Sequence, residues 1–95
     1  MLHAGQYYIL SIDIFQVGSR AEFTCEAEGR PAPVIFWYIN GVSLSYLPTD
    51  PRRSINDGRL VIEHLYLNDT AVIQCNATSK HGYVFENAPL IVYYV

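Results

Sequence analysis

Two cysteines and a single tryptophan between them restrict the fold of this chain more than any other feature of its sequence. Cys25 and Cys75 lie fifty residues apart, and Trp37 follows Cys25 by twelve. Each lies in a segment where apolar and polar side chains alternate with a period of two, which is typical of half-buried strands. In a two-sheet sandwich, this pattern places the cysteines on facing sheets with the indole packed against their bridge.

The same alternation continues along most of the chain and predicts several short strands. The side chains expected to face inward are Ala21, Phe23, Cys25, Ala27, Ile35, Trp37, Ile39, Leu60, Ile62, Ala71, Ile73, Cys75, Ala77, Ala88, Leu90 and Val92. Asn40-Gly41 and Asp57-Gly58 predict tight turns, because these residue types tolerate positive φ, and 80–82 looks like a hairpin tip. Short strands without a helical period indicate an all-β antiparallel sandwich or barrel.

Composition limits the class of protein further. The chain has 95 residues, of which 51% are apolar and 16% are charged, so we expect one folded domain over residues 1–95 and no disordered tail. A net charge of −3 gives no basic footprint for nucleic acid or an anionic membrane surface. The longest apolar run, 90–95, is too short to span a bilayer. We expect no signal peptide at the start of the sequence and interpret the chain as a module of a longer protein.

The state of the two cysteines has two interpretations. A disulfide that closes a loop of this length stabilises a domain by roughly 4 kcal/mol in the chain-entropy model. Two buried free thiols in a reduced domain are the alternative, since free cysteine packs as a small hydrophobe. We expect no zinc site, because a structural site needs four ligands and the three histidines have no suitable spacing.

Several short segments carry a resemblance to a known family. They are 25–33, Trp37, Asn40-Gly41, 58–62, 69–71 and 74–77. Together they resemble the I-set immunoglobulin pattern, which implies a two-sheet immunoglobulin-like sandwich with one inter-sheet disulfide. Within that set, residues 69–83, followed by Asn87-Ala88, look most like the fourth immunoglobulin domain of the L1-type neural cell adhesion molecules, which include L1, neurofascin and neuroglian.

The chain departs from the family pattern at one position. A tyrosine usually lies two residues before the second cysteine and forms the tyrosine corner, whereas this chain has Ile73 there. Ile73 can only pack, so we expect the turn before its strand to be less rigid. The family pattern also pairs Asp69 with an arginine, which is either Arg52 or Arg53 here.

Two glycosylation sequons occur, at Asn68-Asp-Thr70 and Asn76-Ala-Thr78. Asn68 is expected in the turn before the second cysteine's strand. Asn76 alternates with Cys75, so its side chain is expected to point to solvent; an unmodified polar residue is the alternative at both sites. With the disulfide, the sequons favour a secreted or cell-surface protein, although intracellular I-set domains also carry buried cysteines.

The sequence shows no catalytic constellation. It has no nucleophile elbow, zinc-protease motif or glycine-rich phosphate loop, so we expect no enzyme activity, cofactor or metal. His3 is near a terminus, His64 is expected to pack at a strand boundary facing inward, and His81 is expected to be solvated at a hairpin tip.

Exposed aromatic side chains are the candidate binding residues. Phe36 and Tyr38 alternate with Trp37, so they should point outward, and Tyr83 with Phe85 form a second candidate surface. Neighbouring modules or loops could cover these rings instead. A glycan on Asn76 would share the face of Phe36 and Tyr38, so glycosylation and broad protein contact compete there.

The resemblance implies an extracellular module of a cell-surface adhesion receptor that takes part in homophilic and heterophilic recognition. Its partners would be neighbouring immunoglobulin modules and adhesion receptors on the same or an opposing cell. In the L1-type molecules, four N-terminal modules form a horseshoe in which the first packs against the fourth. The parent protein would be membrane-anchored, without contact between this domain and the bilayer. The alternatives are an intracellular structural I-set domain of a cytoskeletal or sarcomeric protein and a ligand-binding module of a growth-factor receptor.

Overall fold

The chain forms two β-sheets packed face to face, in a computed structural model that describes residues 7–9, 13–56 and 58–94. The strands in these residues are β1 (Tyr7–Ile9), β2 (Asp13–Gln16), β3 (Ala21–Ala27), β4 (Val34–Ile39), β5 (Val42–Ser43), β6 (Arg53–Asn56), β7 (Arg59–Ile62), β8 (Ala71–Ser79) and β9 (Gly82–Tyr93). Short 3₁₀ turns lie at Leu44–Tyr46 and Leu67–Asp69.

The sheet order is that of an immunoglobulin-like sandwich. One sheet has the order β1-β3-β7-β6 and the other β2-β9-β8-β4-β5. Neighbouring strands are antiparallel, except that β2 runs parallel to β9. The predicted all-β sandwich is therefore confirmed, and the barrel alternative is not.

The core follows from the alternation that the sequence predicts. Cys25 on β3 and Cys75 on β8 form a disulfide across the two sheets, with their Cα atoms 6.4 Å apart. Trp37 lies opposite Cys75 in the register of β4 and β8 and is 3% exposed. Phe23, Leu60, Leu65, Ile73 and Leu90 are fully buried. Burial of each such side chain stabilises the fold by about 1.5–3 kcal/mol relative to leaving it exposed.

Two predicted turns are present. The β4–β5 turn places Asn40 at φ 51° and Gly41 at φ 82°. It is tied to β8 by three hydrogen bonds, one of which runs from the amide of Asn40 to Val72 O (2.8 Å). The amide of Val72 donates to Asn40 Oδ1 (2.8 Å), and the amide of Gly41 donates to Gln74 Oε1 (2.6 Å). The hairpin between β8 and β9 turns between Ser79 and Gly82, as expected. Gly58 has φ 75°, while Asp57 and the terminal His3 lie outside the described residues.

The prediction for His64 is wrong. Its side chain is exposed, because the chain turns into the left-handed region at this residue (φ 49°) and the alternation of β7 ends at Ile62. Leu65 takes the core position instead and is fully buried. Its amide donates to Ser19 O (2.9 Å), which fixes the position of this reversal.

Arg52, and not Arg53, is the partner of Asp69. The Arg52 guanidinium donates to both carboxylate oxygens of Asp69, at 2.7 and 3.1 Å. Asp69 Oδ2 also accepts a bond from the amide of Tyr66 (2.7 Å). The 3₁₀ turn before β8 is therefore held by charge-assisted bonds in a chain that has Ile73 in place of the corner tyrosine.

Candidate protein-contact face

The outer face of the five-stranded sheet carries the candidate binding residues. Because Trp37, Cys75 and Ala88 point into the core, their neighbours along β4, β8 and β9 point outward. Register then aligns these outward side chains in rows across the three strands. The rows are Val34–Thr78–Tyr83, Phe36–Asn76–Phe85 and Tyr38–Gln74–Asn87.

An aromatic patch, defined as Val34, Phe36, Tyr38, Tyr83 and Phe85, occupies one end of this face. The ring centroids of Tyr38 and Phe85 are 5.3 Å apart, and those of Tyr83 and Phe85 are 5.9 Å apart in an edge-to-face arrangement. Both distances lie in the range of favourable aromatic pairs. The sequence indicated two candidate surfaces, but the register of β4, β8 and β9 joins them into one.

Asn76 lies at the centre of the aromatic patch. The prediction that its side chain is exposed to solvent is wrong, because the residue is only 6% exposed although it faces outward. Phe36 and Phe85 stand directly opposite it on the two neighbouring strands. Side chains paired in this way approach within about 5 Å at Cβ, so large rings cover a short amide between them.

A polar row borders the aromatic patch. Gln74 Nε2 donates to Asn87 Oδ1 (3.0 Å), while Gln74 Oε1 accepts the bond from Gly41 described above. These two bonds connect β8 to β9 and to the β4–β5 turn. The row separates the aromatic patch from the other end of the face.

An aliphatic patch, defined as Ile14, Val72 and Ile91, lies beyond the polar row. Ile14 on β2 is in register with Ile91 on β9, and all three side chains are exposed. This patch was not predicted from the sequence, in which Leu90 and Val92 were expected only to face inward. The signal was present, since inward Leu90 and Val92 require an outward Ile91.

The ion pairs among the described residues lie away from this face. Glu22, on the outer face of the four-stranded sheet, pairs with Arg20 (3.1 Å) and Arg59 (3.5 Å). Across residues 13–56 and 58–94, no ion pair involves a side chain of the five-stranded sheet's outer face. One sheet thus presents solvated ion pairs, whereas the other presents apolar side chains suited to contact.

The remaining candidate residues lie apart from this face. Asn68 is exposed within the 3₁₀ turn before β8, and His81 is exposed at the β8–β9 hairpin. In the described part of the chain, no three acidic, histidine or cysteine side chains are grouped closely enough to hold a metal ion. The helical segments that the structure describes include none long and apolar enough to cross a membrane.

Comparisons with known proteins agree with this architecture. A family model described as "Immunoglobulin domain" matches residues 10–79. Neural cell adhesion molecule L1.1 of Danio rerio is 42% identical over 74 residues, which are 78% of this chain and 6% of that protein. The chain therefore spans a small fraction of the curated relatives that it matches.

Two solved structures show the same fold. Tandem immunoglobulin repeats of Dlar superpose with a TM-score of 0.84 at 26% identity, covering 97% of this chain and 49% of that chain. A chimeric titin Z1Z2 functionalised with a KLER exogenous peptide from decorin gives a TM-score of 0.80 at 27% identity, covering 96% and 95%.

Proposed function

Because the chain belongs to the immunoglobulin domain family, we propose that it is an extracellular module of a cell adhesion receptor and contributes to recognition between cells. The observation that carries this proposal is the 42% identity with the Danio rerio adhesion molecule L1.1. That relative is far longer than this chain, so adhesion is the role of the whole receptor. This module contributes a surface that packs against other protein domains.

The aliphatic patch is the proposed protein-contact surface. Ile14, Val72 and Ile91 lie on three adjacent strands and leave apolar area exposed beside the hydrogen-bonded row of Gln74 and Asn87. Because these side chains are 36–64% exposed, covering one of them contributes less than the about 1.5–3 kcal/mol of full burial. The neighbouring amide groups give this surface a polar rim, as protein interfaces have.

The proposed position of the module is that of the fourth immunoglobulin domain of an L1-type receptor. In that position, the partner is the first immunoglobulin domain of the same receptor, packed inside a four-domain horseshoe. The parent receptor is anchored in the membrane and this module stands clear of it. Homophilic or heterophilic contact with an opposing cell then depends on the assembled horseshoe.

Binding of the isolated first immunoglobulin domain of Danio rerio L1.1 to the immobilised chain tests this assignment. We expect saturable binding that Ile91→Ser weakens at least about tenfold, which corresponds to 1.4 kcal/mol. The matched control is Ile55→Ser on β6 of the other sheet, which is also exposed and should leave binding unchanged. Absence of binding, or equal loss in both variants, would contradict the proposed packing.

A structural domain of a cytoskeletal or sarcomeric protein is the second candidate, because the titin Z1Z2 chimera shares the fold along nearly its whole length. A ligand-binding module of a growth-factor receptor is the third. The Cys25–Cys75 disulfide favours the extracellular candidates, since such bonds persist in oxidising compartments. A parent chain that keeps both thiols reduced in its native cell would favour the structural domain.

A further inference from the structure

Asn76 combines a glycosylation sequon with a position at the centre of the aromatic patch. We propose that Asn76 carries an N-linked glycan whose first sugar lies against Phe36 and Phe85, so that the chain's own glycan covers the aromatic patch. This inference rests on the proposed function, because only a chain that enters the secretory pathway meets the transferase. It leaves the aliphatic patch as the open protein-contact surface.

The burial of Asn76 is compatible with an attached sugar. Its cover comes from the flanking side chains of the outer face, while the core lies on the opposite side of the sheet beneath Cys75 and Ala77. Among the described residues, the only buried side-chain nitrogen or oxygen without a hydrogen-bond partner is Trp37 Nε1. Asn76 Nδ2 is not among such atoms, and the bond described below engages Oδ1 of the same amide.

The sequon is arranged for modification at this nitrogen. Thr78 Oγ1 donates a hydrogen bond to Asn76 Oδ1, so this bond engages the carbonyl end of the amide and not Nδ2. The donor is a polyprenyl-pyrophosphate-linked oligosaccharide. A bond forms between Nδ2 and C1 of the first N-acetylglucosamine, while the bond from C1 to the pyrophosphate oxygen breaks. The lipid pyrophosphate leaves with the electron pair, and one amide proton is released.

The chemistry of the patch suits a sugar. A pyranose presents an apolar face of C–H groups. The partial positive charge on these hydrogens is attracted to the negative face of an aromatic ring. Phe36 and Phe85 lie in register with Asn76 on the two neighbouring strands and are 46% and 44% exposed, so neither is fully covered. A glycan is bulky and solubilising, and it removes an exposed apolar area that would otherwise favour association.

Site occupancy is the first part of the test. The chain is secreted from animal cells behind a leader peptide, and peptide mass mapping is done before and after peptide N-glycosidase treatment. We expect glycan mass on Asn76 and its loss in Thr78→Ala, while Asn68→Gln leaves the Asn76 glycan in place. An oxidised, secreted chain with bare Asn76 would overturn the inference.

Contact between sugar and rings is the second part. In the Asn68→Gln background, the glycan is trimmed to one N-acetylglucosamine, and the melting temperature is compared with that of the unglycosylated oxidised chain. We expect the sugar to raise the melting temperature by about 4 °C. Phe36→Ser and Phe85→Ser should each remove at least half of this increase. Ile91→Ser is the matched control, since it is similarly exposed on the same face outside the aromatic patch and should preserve the increase.

The outcomes separate this inference from the proposed function. A glycan at Asn76 whose effect does not depend on either phenylalanine would overturn the stacked arrangement. Bare Asn76 together with an occupied Asn68 and an intact disulfide would overturn the inference alone. Free thiols with both sequons bare, despite secretion, would overturn the extracellular assignment and the inference with it.

Discussion

At the scale of single residues, Arg52 joins parts of the chain that are distant in sequence. Its guanidinium binds the carboxylates of Asp50 and Asp69, donates to the carbonyl of His64 (3.1 Å) and lies 4.2 Å from the ring centroid of Tyr66. Its side chain is mostly buried. Planar, multidentate bonding of this kind needs a guanidinium and is not reproduced by an ammonium group.

Replacement of Arg52 by lysine should therefore lower the free energy of unfolding by about 2 kcal/mol, less than the loss of a fully buried ion pair because water still reaches this one. Urea unfolding measures the change as a shift in midpoint at constant slope. Arg20→Lys is the matched control, because Arg20 pairs with Glu22 and Glu63 at the exposed surface. Its cost should stay below about 0.5 kcal/mol.

Asp50 makes stability depend on pH in the acid range. The hydrogen bond from Arg52 lowers the pKa of Asp50 below its ordinary value of 3.8. A lowered folded-state pKa contributes stability that is complete above the unfolded-state pKa and is lost as the pH falls through the folded-state value. Asp50→Asn should therefore lose less stability than the parent chain when urea unfolding is repeated between about pH 5 and pH 2. An unchanged acid slope would contradict this account of Asp50.

At the scale of elements, two glycines at positive φ differ in what surrounds them. Gly41, in the β4–β5 turn, has nothing within 4 Å of the position that a Cβ would take. At Gly58, before β7, that position is only 2.6 Å from the carbonyl oxygen of Cys25. The turn tolerates a side chain sterically, whereas the approach of Gly58 to β3 excludes one.

Alanine substitutions at Gly41 and Gly58 should distinguish the cost of backbone strain from the cost of a steric clash. Gly41→Ala should cost about 1 kcal/mol, the usual penalty for a side chain at positive φ. Gly58→Ala should cost at least about 2 kcal/mol more, because β3 must shift where it carries the disulfide. Urea unfolding of the oxidised proteins gives both values, and equal costs would show that the close approach is not limiting.

The sequence predicts those elements that are determined by residues close together in the chain. The inward positions of β3 and β8 follow from alternation around Cys25 and Cys75, and the β4–β5 turn follows from Asn40-Gly41. The parallel pairing of β2 with β9 could not be predicted in this way, because parallel contacts join segments distant in sequence. The left-handed turn at His64 was missed for the same reason, since tertiary contacts decide it.

The candidate site also has features that the local sequence predicts and features that only tertiary contacts decide. Alternation places Phe36, Tyr38, Tyr83 and Phe85 on the surface, but only the register shows that they meet around Asn76. The burial of Asn76 depends on those cross-strand neighbours and has no signature in its own segment. Alternation with a period of two predicts which face of the sheet a side chain occupies. The pairing of strands decides which side chains lie next to it.

At the scale of the whole molecule, the disulfide joins the two sheets across fifty residues. Closing a loop of that length restricts the unfolded chain and is worth about 4 kcal/mol in the chain-entropy model. Small domains have free energies of unfolding of about 5–15 kcal/mol. The disulfide therefore contributes a large share of the stability of this domain. The reduced chain should unfold at a correspondingly lower urea concentration than the oxidised chain at the same pH. Equal midpoints would contradict a stabilising role for the bond.

The proposal of an extracellular adhesion module is supported by the immunoglobulin fold, the disulfide and the relationship to the L1-type molecules. Antibody raised against the folded chain and applied to intact, unpermeabilised cells that express the parent protein tests it most directly. We expect labelling of the outer cell surface, concentrated where neighbouring cells touch. Labelling that appears only after permeabilisation, along cytoskeletal structures, would contradict it.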